Sequence, residues 1–423
     1  MTHREWFEWL KELPWSLRWF PLLIVARPLV DNFYFLKEVS PFLSPPYIVG
    51  VLTPVLAIAA MVKFRMPKFN RVDKVFFYWG LTVLISCSFL IFYDPLSLLS
   101  IEFVLKLSLP VYLYFFLRVF ITDLRDLHGI LQAFLYGAIF VGLLLIYEVV
   151  VNPFRVEESR GLSRIQGNFG DVVSYGMYII FSVIVATYYF FSRQHIASLR
   201  SRLWLLIPVV LVGVLGLVNI HHTATYIIFI LITGLFITYN IKSQNRSVAI
   251  LIIVVIGLSL SFWGSEVVDE RITPLLETDM AVYSGTQDTD KLLHGRVGRW
   301  RMMLTMFSSE DVHIQFFGYP LKLDYVYHFI GIGSHNDFVR ILFATGVVGL
   351  FLYLFFLANV LQRALALPTA QRYLLMATLI ALLFYSISVT PTIYAPFMYF
   401  ALAIFAYVGL PDNHSSKWKN RAY

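Results

Sequence analysis

Three residues able to do chemistry, His335, Asn336 and Asp337, stand immediately before a nearly unbroken apolar run that begins at Phe338. An imidazole takes and gives protons near neutral pH, so a histidine at such a boundary suits general-base work, although interfacial anchoring is the more ordinary use of that residue type there. Ser334 or Asn336 is a natural helix cap, and Asp337 suits the positive end of the helix dipole. Gly346 and Gly349 lie three apart, which on a continuous helix puts them on one face and lets a neighbouring helix or lipid chain approach closely. Upstream, "HGRVGRWRMMLTMF" reads as an amphipathic helix with Arg296, Arg299 and Arg301 near its start. A second arginine group, Arg155, Arg160 and Arg164, falls within "NPFRVEESRGLSRIQGNFGD". The planar guanidinium fork matches phosphate oxygens, so both groups are candidate anion sites; meeting lipid phosphate, or acidic neighbours such as Glu157 and Glu158, is the plainer alternative. The ten histidines include one adjacent pair, His221 and His222, and no spacing typical of a zinc site; no Gly-rich phosphate loop is present either.

The elements that must hold these residues are membrane helices. With 58% hydrophobic and 14% charged residues and a mean hydropathy of +0.71, the chain lies far from soluble domains. Apolar runs long enough to cross roughly 30 Å of hydrocarbon recur along it. They predict an all-α polytopic protein of about twelve spans, near 18–36, 45–62, 75–93, 96–120, 127–150, 172–192, 203–219, 223–240, 248–263, 336–361, 373–389 and 392–409. Lys and Arg concentrate in alternate connections and at both termini, which predicts cytoplasmic ends. The net charge of +7 then reflects topology beside an anionic leaflet and gives no warrant for nucleic-acid binding. The resulting organisation is a cytoplasmic interfacial segment over 1–17, spans over 18–263 with an Arg-rich outer loop at 151–171, a large outer loop over 264–334, spans over 335–410 and a cytoplasmic tail over 411–423. Within the spans, Arg27 with Asp31 and Glu102 with Lys106 are i, i+4 pairs able to neutralise each other, as structural pairs or as groove lining. The lone cysteine, Cys87, excludes an intramolecular disulfide.

His335-Asn336, nine residues, then Gly346-Val-Val-Gly349 resembles the histidine signature of the O-antigen ligase and O-antigen polymerase superfamily. "GRVGRW" is similar to the arginine motif ahead of that signature and maps the family arginine onto Arg296; "RIQGNFGDVVSYGMYI" resembles, more loosely, a further arginine-glycine segment. The resemblance runs over roughly residues 150–360, whereas the first 125 residues and the tail match in hydropathy alone.

This resemblance implies a bacterial inner-membrane glycosyltransferase with a C-type fold, its active site facing the periplasm. Its substrates would be undecaprenyl-diphosphate-linked glycans, and it would need neither metal nor nucleotide cofactor. His335 would then be the catalytic base and Arg296 the catalytic cation on the diphosphate, with Arg160 or Arg164, Arg299, His222 and Asn336 binding substrate. Membrane lipids, a chain-length regulator and a flippase are the expected partners. Many relatives carry an arginine where "HHTATY" has His222, a departure that favours a polymerase of O-antigen or exopolysaccharide repeats over a ligase acting on lipid A-core. A lipid-linked oligosaccharide transporter is the reading from a different class, and such proteins bind near the membrane midplane.

Overall fold

The computed structural model describes residues 1–40, 43–93, 98–159, 162–167, 169, 172–192, 199–241, 246–247, 249–250, 253, 273–318 and 334–410. Helices dominate: α1 (His3–Glu12), α2 (Trp15–Asp31), α3 (Leu36–Val39), α4 (Pro45–Lys63), α5 (Arg71–Tyr93), α6 (Leu98–Phe120) and α7 (Leu124–Val150), then α8 (Val172–Ser192), α9 (Leu199–Ile220) and α10 (Thr223–Ile241). The remainder comprises α11 (Thr273–Tyr283), α12 (Leu292–Ser309), α13 (Val312–Phe317), α14 (Asp337–Ala366), α15 (Thr369–Ser388) and α16 (Ala395–Val408). Among the described residues six helices, α4, α7, α8, α10, α14 and α15, are long and apolar enough to cross a membrane. The architecture is that of an all-α membrane protein. The expected span at 248–263 lies almost wholly outside the described residues, as do parts of the 264–334 segment and the 411–423 tail.

Burial sorts the helices. α8 and α16 are apolar all round and buried on nearly every face, which places them at the centre of the bundle. Around them α2 packs on α7, α6 on α4 and α16, α5 on α14, and α10 on α15. α4 turns Leu52, Val55, Ile58 and Val62 outward, as a lipid-facing helix does. At one end of the bundle Asp73 on α5 accepts from Arg118 Nε at 2.7 Å, Arg118 Nη2 at 3.0 Å and the Tyr114 hydroxyl at 2.8 Å. Arg118 Nη1 also donates to the Ala406 carbonyl at 3.2 Å, so a residue that reads in sequence as basic flank is a buried tie between α5, α6 and α16.

The N-terminal segment also differs from its sequence reading. It forms α1, opened by a Thr2/Glu5 capping box, and docks on protein: Trp6 Nε1 donates to the Gly129 carbonyl at 2.8 Å and Trp9 Nε1 to Asp126 Oδ1 at 3.1 Å. Both tryptophans are buried. An interfacial surface helix would leave that face to lipid; here α7 covers it.

Two connections carry the site. The first holds an antiparallel hairpin, β1 (Val156–Ser159) and β2 (Leu162–Ile165), with Glu157 opposite Arg164. Its approach is pinned by Glu148 at the end of α7, which accepts from the Phe154 amide and the Tyr175 hydroxyl, each at 3.1 Å. The second contains α11, α12 and α13. α12 lays Met303 and Phe307 against Val339, Leu342 and Phe343 of α14, and α13 packs across α14. That crossing changes the glycine reading. Gly346 has φ 67° and ψ −173°, a break inside the helix, and a Cβ there would strike the Phe316 backbone. Gly318, at φ 89°, meets the Ala344 and Thr345 backbone in the same contact. Gly346 and Gly349 therefore do not form one continuous helix face.

Candidate active site

His335 owes its position to three local features. Asn336 caps α14, its side chain accepting from the Val339 amide at 3.1 Å. The Ser334 carbonyl accepts from Trp300 Nε1 at 2.8 Å, which ties the start of α14 to α12, and the Ser334 hydroxyl donates to the Asn336 carbonyl at 3.1 Å. Between these two buried neighbours His335 is exposed and adopts a left-handed backbone, φ 45°. A non-glycine residue held in that region costs of order 1–3 kcal/mol and persists only where its surroundings impose it, a pattern common at functional sites.

The exposed imidazole faces a cavity of about 650 Å³. Chain segments far apart in sequence meet there: Arg164 from β2, His222 from the start of α10, Arg296 from α12 and His335. Arg164 is buried, and its Nη1 lies 3.9 Å from Glu157 Oε1. Burial pulls the Arg164 pKa below its ordinary value, with Glu157 opposing that. Burial also lowers the Arg296 pKa, and the neighbouring Arg299 charge adds to the effect. Both guanidinium groups stay cationic. The Arg296 and Arg299 charges raise each other's energy, and a bound anion would relieve the cost. His222 Nδ1 lies 2.9 Å from Thr225 Oγ1, which in turn meets the Tyr385 hydroxyl at 3.1 Å. His221 is buried behind it, with φ 49°.

None of the other expected site residues that is described lines the cavity. Arg299 lies beside Arg296 on α12 but does not line the cavity, Asn336 is committed to its cap, and Arg160 lies outside the described residues. Arg301 faces elsewhere, paired with Asp290 at 2.7 Å.

The cavity also recruits charge from α2 and α14. Arg27 pairs with Asp31 at 2.8 Å, and Asp31 accepts from the Tyr178 hydroxyl at 2.6 Å; the Arg27 guanidinium sits 5.8 Å from the centre of the Tyr399 ring. Arg340 pairs with Asp337 at 2.8 Å and reaches Thr392 at the short turn before α16. Asp337 accepts from the Thr392 amide at 3.1 Å and its hydroxyl at 2.8 Å, so the first turn of α14 is locked to the 390–394 segment. Arg27, Arg164 and Arg340 are all buried, and among the described residues Nε and Nη1 of Arg27, Nε of Arg164 and Nη1 of Arg340 find no hydrogen-bond partner, although Arg27 Nε stays in ion-pair reach of Asp31. Lys37, Glu102 and Lys106 complete the charged lining. The i, i+4 spacing of Arg27 with Asp31 and of Glu102 with Lys106 signals these pairs in sequence; nothing local signals Lys37 or the Thr392 contact.

Such an arrangement has the chemistry to take an anion against arginines beside an accessible imidazole. No protein-family model matches the chain, and no curated protein matches it.

Proposed function

We propose that the protein is a metal-independent glycosyltransferase of the inner bacterial membrane. In this reading it is a polymerase that joins undecaprenyl-diphosphate-linked oligosaccharide repeats on the periplasmic side. The observation that carries the proposal is the convergence of His335, Arg296, Arg164 and His222 on one cavity, from segments separated by up to 171 positions of chain between Arg164 and His335. The likeness of the His335-Asn336 and Gly-Arg296 segments to the O-antigen ligase and polymerase superfamily supports the same reading. The reading carries with it a twelve-span topology with both arginine-bearing loops outside.

The chemistry follows from the groups present. His335 accepts the proton of an acceptor hydroxyl as that oxygen forms a bond to the anomeric carbon of the donor sugar. The anomeric carbon–phosphate oxygen bond breaks, and its electrons leave with undecaprenyl diphosphate, whose developing charge Arg296 and Arg164 hold. The donor's own glycosyl–phosphate bond supplies the driving force. His222, hydrogen-bonded to Thr225, stands in the sequence where many members of that superfamily carry an arginine, a departure that favours polymerase over ligase. A transporter would place its binding groups at the membrane midplane with no exposed base.

The experiment supplies purified protein in detergent with a defined lipid-linked repeat unit and with lipid A-core. Lengthened glycan on the prenyl carrier is the expected product. Transfer to the core would make the protein a ligase, and no new glycosidic bond with either acceptor would overturn the reading, since a transporter has no membrane to act across.

A further inference from the structure

The hairpin that brings Arg164 to the cavity has two strands of four residues each, and a two-stranded hairpin is marginal by itself. What closes its base therefore sets where Arg164 stands. The register pairs Val156 with Ile165, and one place beyond the strands the Gln166 amide donates to the Arg155 carbonyl at 3.1 Å. One place further, the same register sets Phe154 opposite Gly167. There a side chain takes over from the ladder: the Phe154 amide donates to Glu148 Oε1 at 3.1 Å, and the Gly167 amide donates to the same carboxylate. Glu148 thus replaces the next rung, and it belongs to α7, outside the hairpin. Its Oε2 accepts from the Tyr175 hydroxyl of α8 at 3.1 Å, which anchors the group between two helices, and the residue is buried. Gly167 suits the close approach: it has φ 67°, and a Cβ there would lie 2.9 Å from the Phe169 ring and 3.6 Å from Glu148 Oε2. All three donors are neutral, so the carboxylate is satisfied without drawing on the Arg164 guanidinium.

We propose that Glu148 is a positioning residue for the diphosphate site: its carboxylate closes the base of the hairpin and so fixes where Arg164 presents its guanidinium to the cavity. The inference rests on reading Arg164 as one of the two arginines that hold diphosphate. Glu148 is not part of the cavity lining, so it acts through Arg164 and touches no substrate itself. A guanidinium meets phosphate oxygens as a planar fork, and a displacement of about 1 Å is enough to break one of the two bonds. A carboxylate fits the task because both of its oxygens accept, one for the Phe154 strand end and the other for Tyr175. An amide side chain would turn one of those two ends into a donor facing a donor.

The test is a double-mutant cycle read by calorimetric titration of the purified protein in detergent with inorganic diphosphate. Arg164→Gln should weaken binding about tenfold, as loss of a charge-assisted contact does, with Arg296 holding the remainder. Glu148→Gln should weaken binding about fivefold when Arg164 is present and by less than about twofold when Arg164 is already glutamine. Where Glu148→Gln does not yield folded protein, Glu148→Asp, with both acceptors on a shorter arm, replaces it in the cycle with the same expectation. Equal losses from the Glu148 change in both backgrounds overturn the inference, because a general structural support would disturb the Arg296 contact as well. Undiminished affinity in the Glu148 variant overturns it too, as does loss of fold in both Glu148 variants. A wild type that binds no diphosphate removes the anion site and the inference with it. Transfer of a lipid-linked repeat, measured in the same proteins, separates the two readings: coupled diphosphate binding without transfer removes the transferase alone, and transfer with uncoupled losses removes the positioning role alone.

Discussion

At the residue scale the question is what His335 and Arg296 each contribute. If His335 takes the hydroxyl proton, His335→Gln keeps a hydrogen-bond acceptor but loses the proton acceptor, and transfer per folded molecule should fall by at least about a hundredfold, the usual scale of general-base catalysis. The wild-type rate should fall on acidification, because a protonated imidazole has no lone pair to offer, and the glutamine variant's residual rate should lack that dependence. A glutamine variant with near-wild-type activity would reduce His335 to an anchor. Arg296→Lys asks a different question, since it keeps charge and loses the planar fork. It should cost on the order of a hundredfold in transfer, while Arg301→Lys, whose side chain pairs with Asp290 away from the cavity, should cost little. Equal losses at both positions would point to general electrostatics. His335 and His222 are legible in the sequence because each stands at the start of a hydrocarbon-length run, and Arg164 and Arg296 because each belongs to an arginine group within a long polar connection. The grip of Trp300 on the Ser334 carbonyl is not legible, because it depends on how α12 docks on α14 and neither residue marks that alone.

At the element scale the decisive feature is the broken start of α14. Three-residue spacing of Gly346 and Gly349 is the same whether the helix is straight or interrupted, so sequence cannot separate the two; the backbone of Phe316 and Phe317 arriving from α13 does. The same limit applies to Arg118, whose position at a basic flank hides its buried tie to Asp73, and to α1, whose amphipathic tryptophan face fits lipid or protein equally until α7 covers it. By contrast the helices themselves are legible, because hydrocarbon thickness dictates their length and the absence of water dictates that their backbone bonds close internally. The break yields a stability prediction. Gly346→Ala puts a side chain into a glycine-only conformation and against a carbonyl, and should destabilise the protein by about 2–4 kcal/mol. Gly234→Ala on α10, where a Cβ meets nothing within 4 Å, should be neutral or slightly stabilising. Thermal unfolding of the two variants in detergent measures the contrast, and equal midpoints would mean that the break at Gly346 is not required for the packing of α13.

For the whole molecule, one cavity requires one side. Arg164, Arg296, His222 and His335 line the same space, so the β hairpin, α12 and the starts of α10 and α14 lie at one end of the bundle, and the Asp73–Arg118 tie lies at the helix ends opposite. The shared cavity places the described parts of both connections at one end; that this end faces the periplasm is the proposed orientation, which rests on the expectation that basic connections are retained on the cytoplasmic side. The two arguments are independent and meet in a single labelling experiment. With Cys87 replaced by alanine, single cysteines at Asn152 and Thr286, both exposed on the cavity-side connections, should react with a membrane-impermeant maleimide in cells whose outer membrane alone is permeabilised. Cysteines at Lys68 and Thr369, exposed at the opposite end, should react only after the inner membrane is opened. Split labelling of Asn152 and Thr286 would contradict the shared end itself. Both staying protected while Lys68 and Thr369 react would invert the molecule, put the cavity in the cytoplasm, and leave a lipid-linked glycan delivered to the periplasm out of reach of His335.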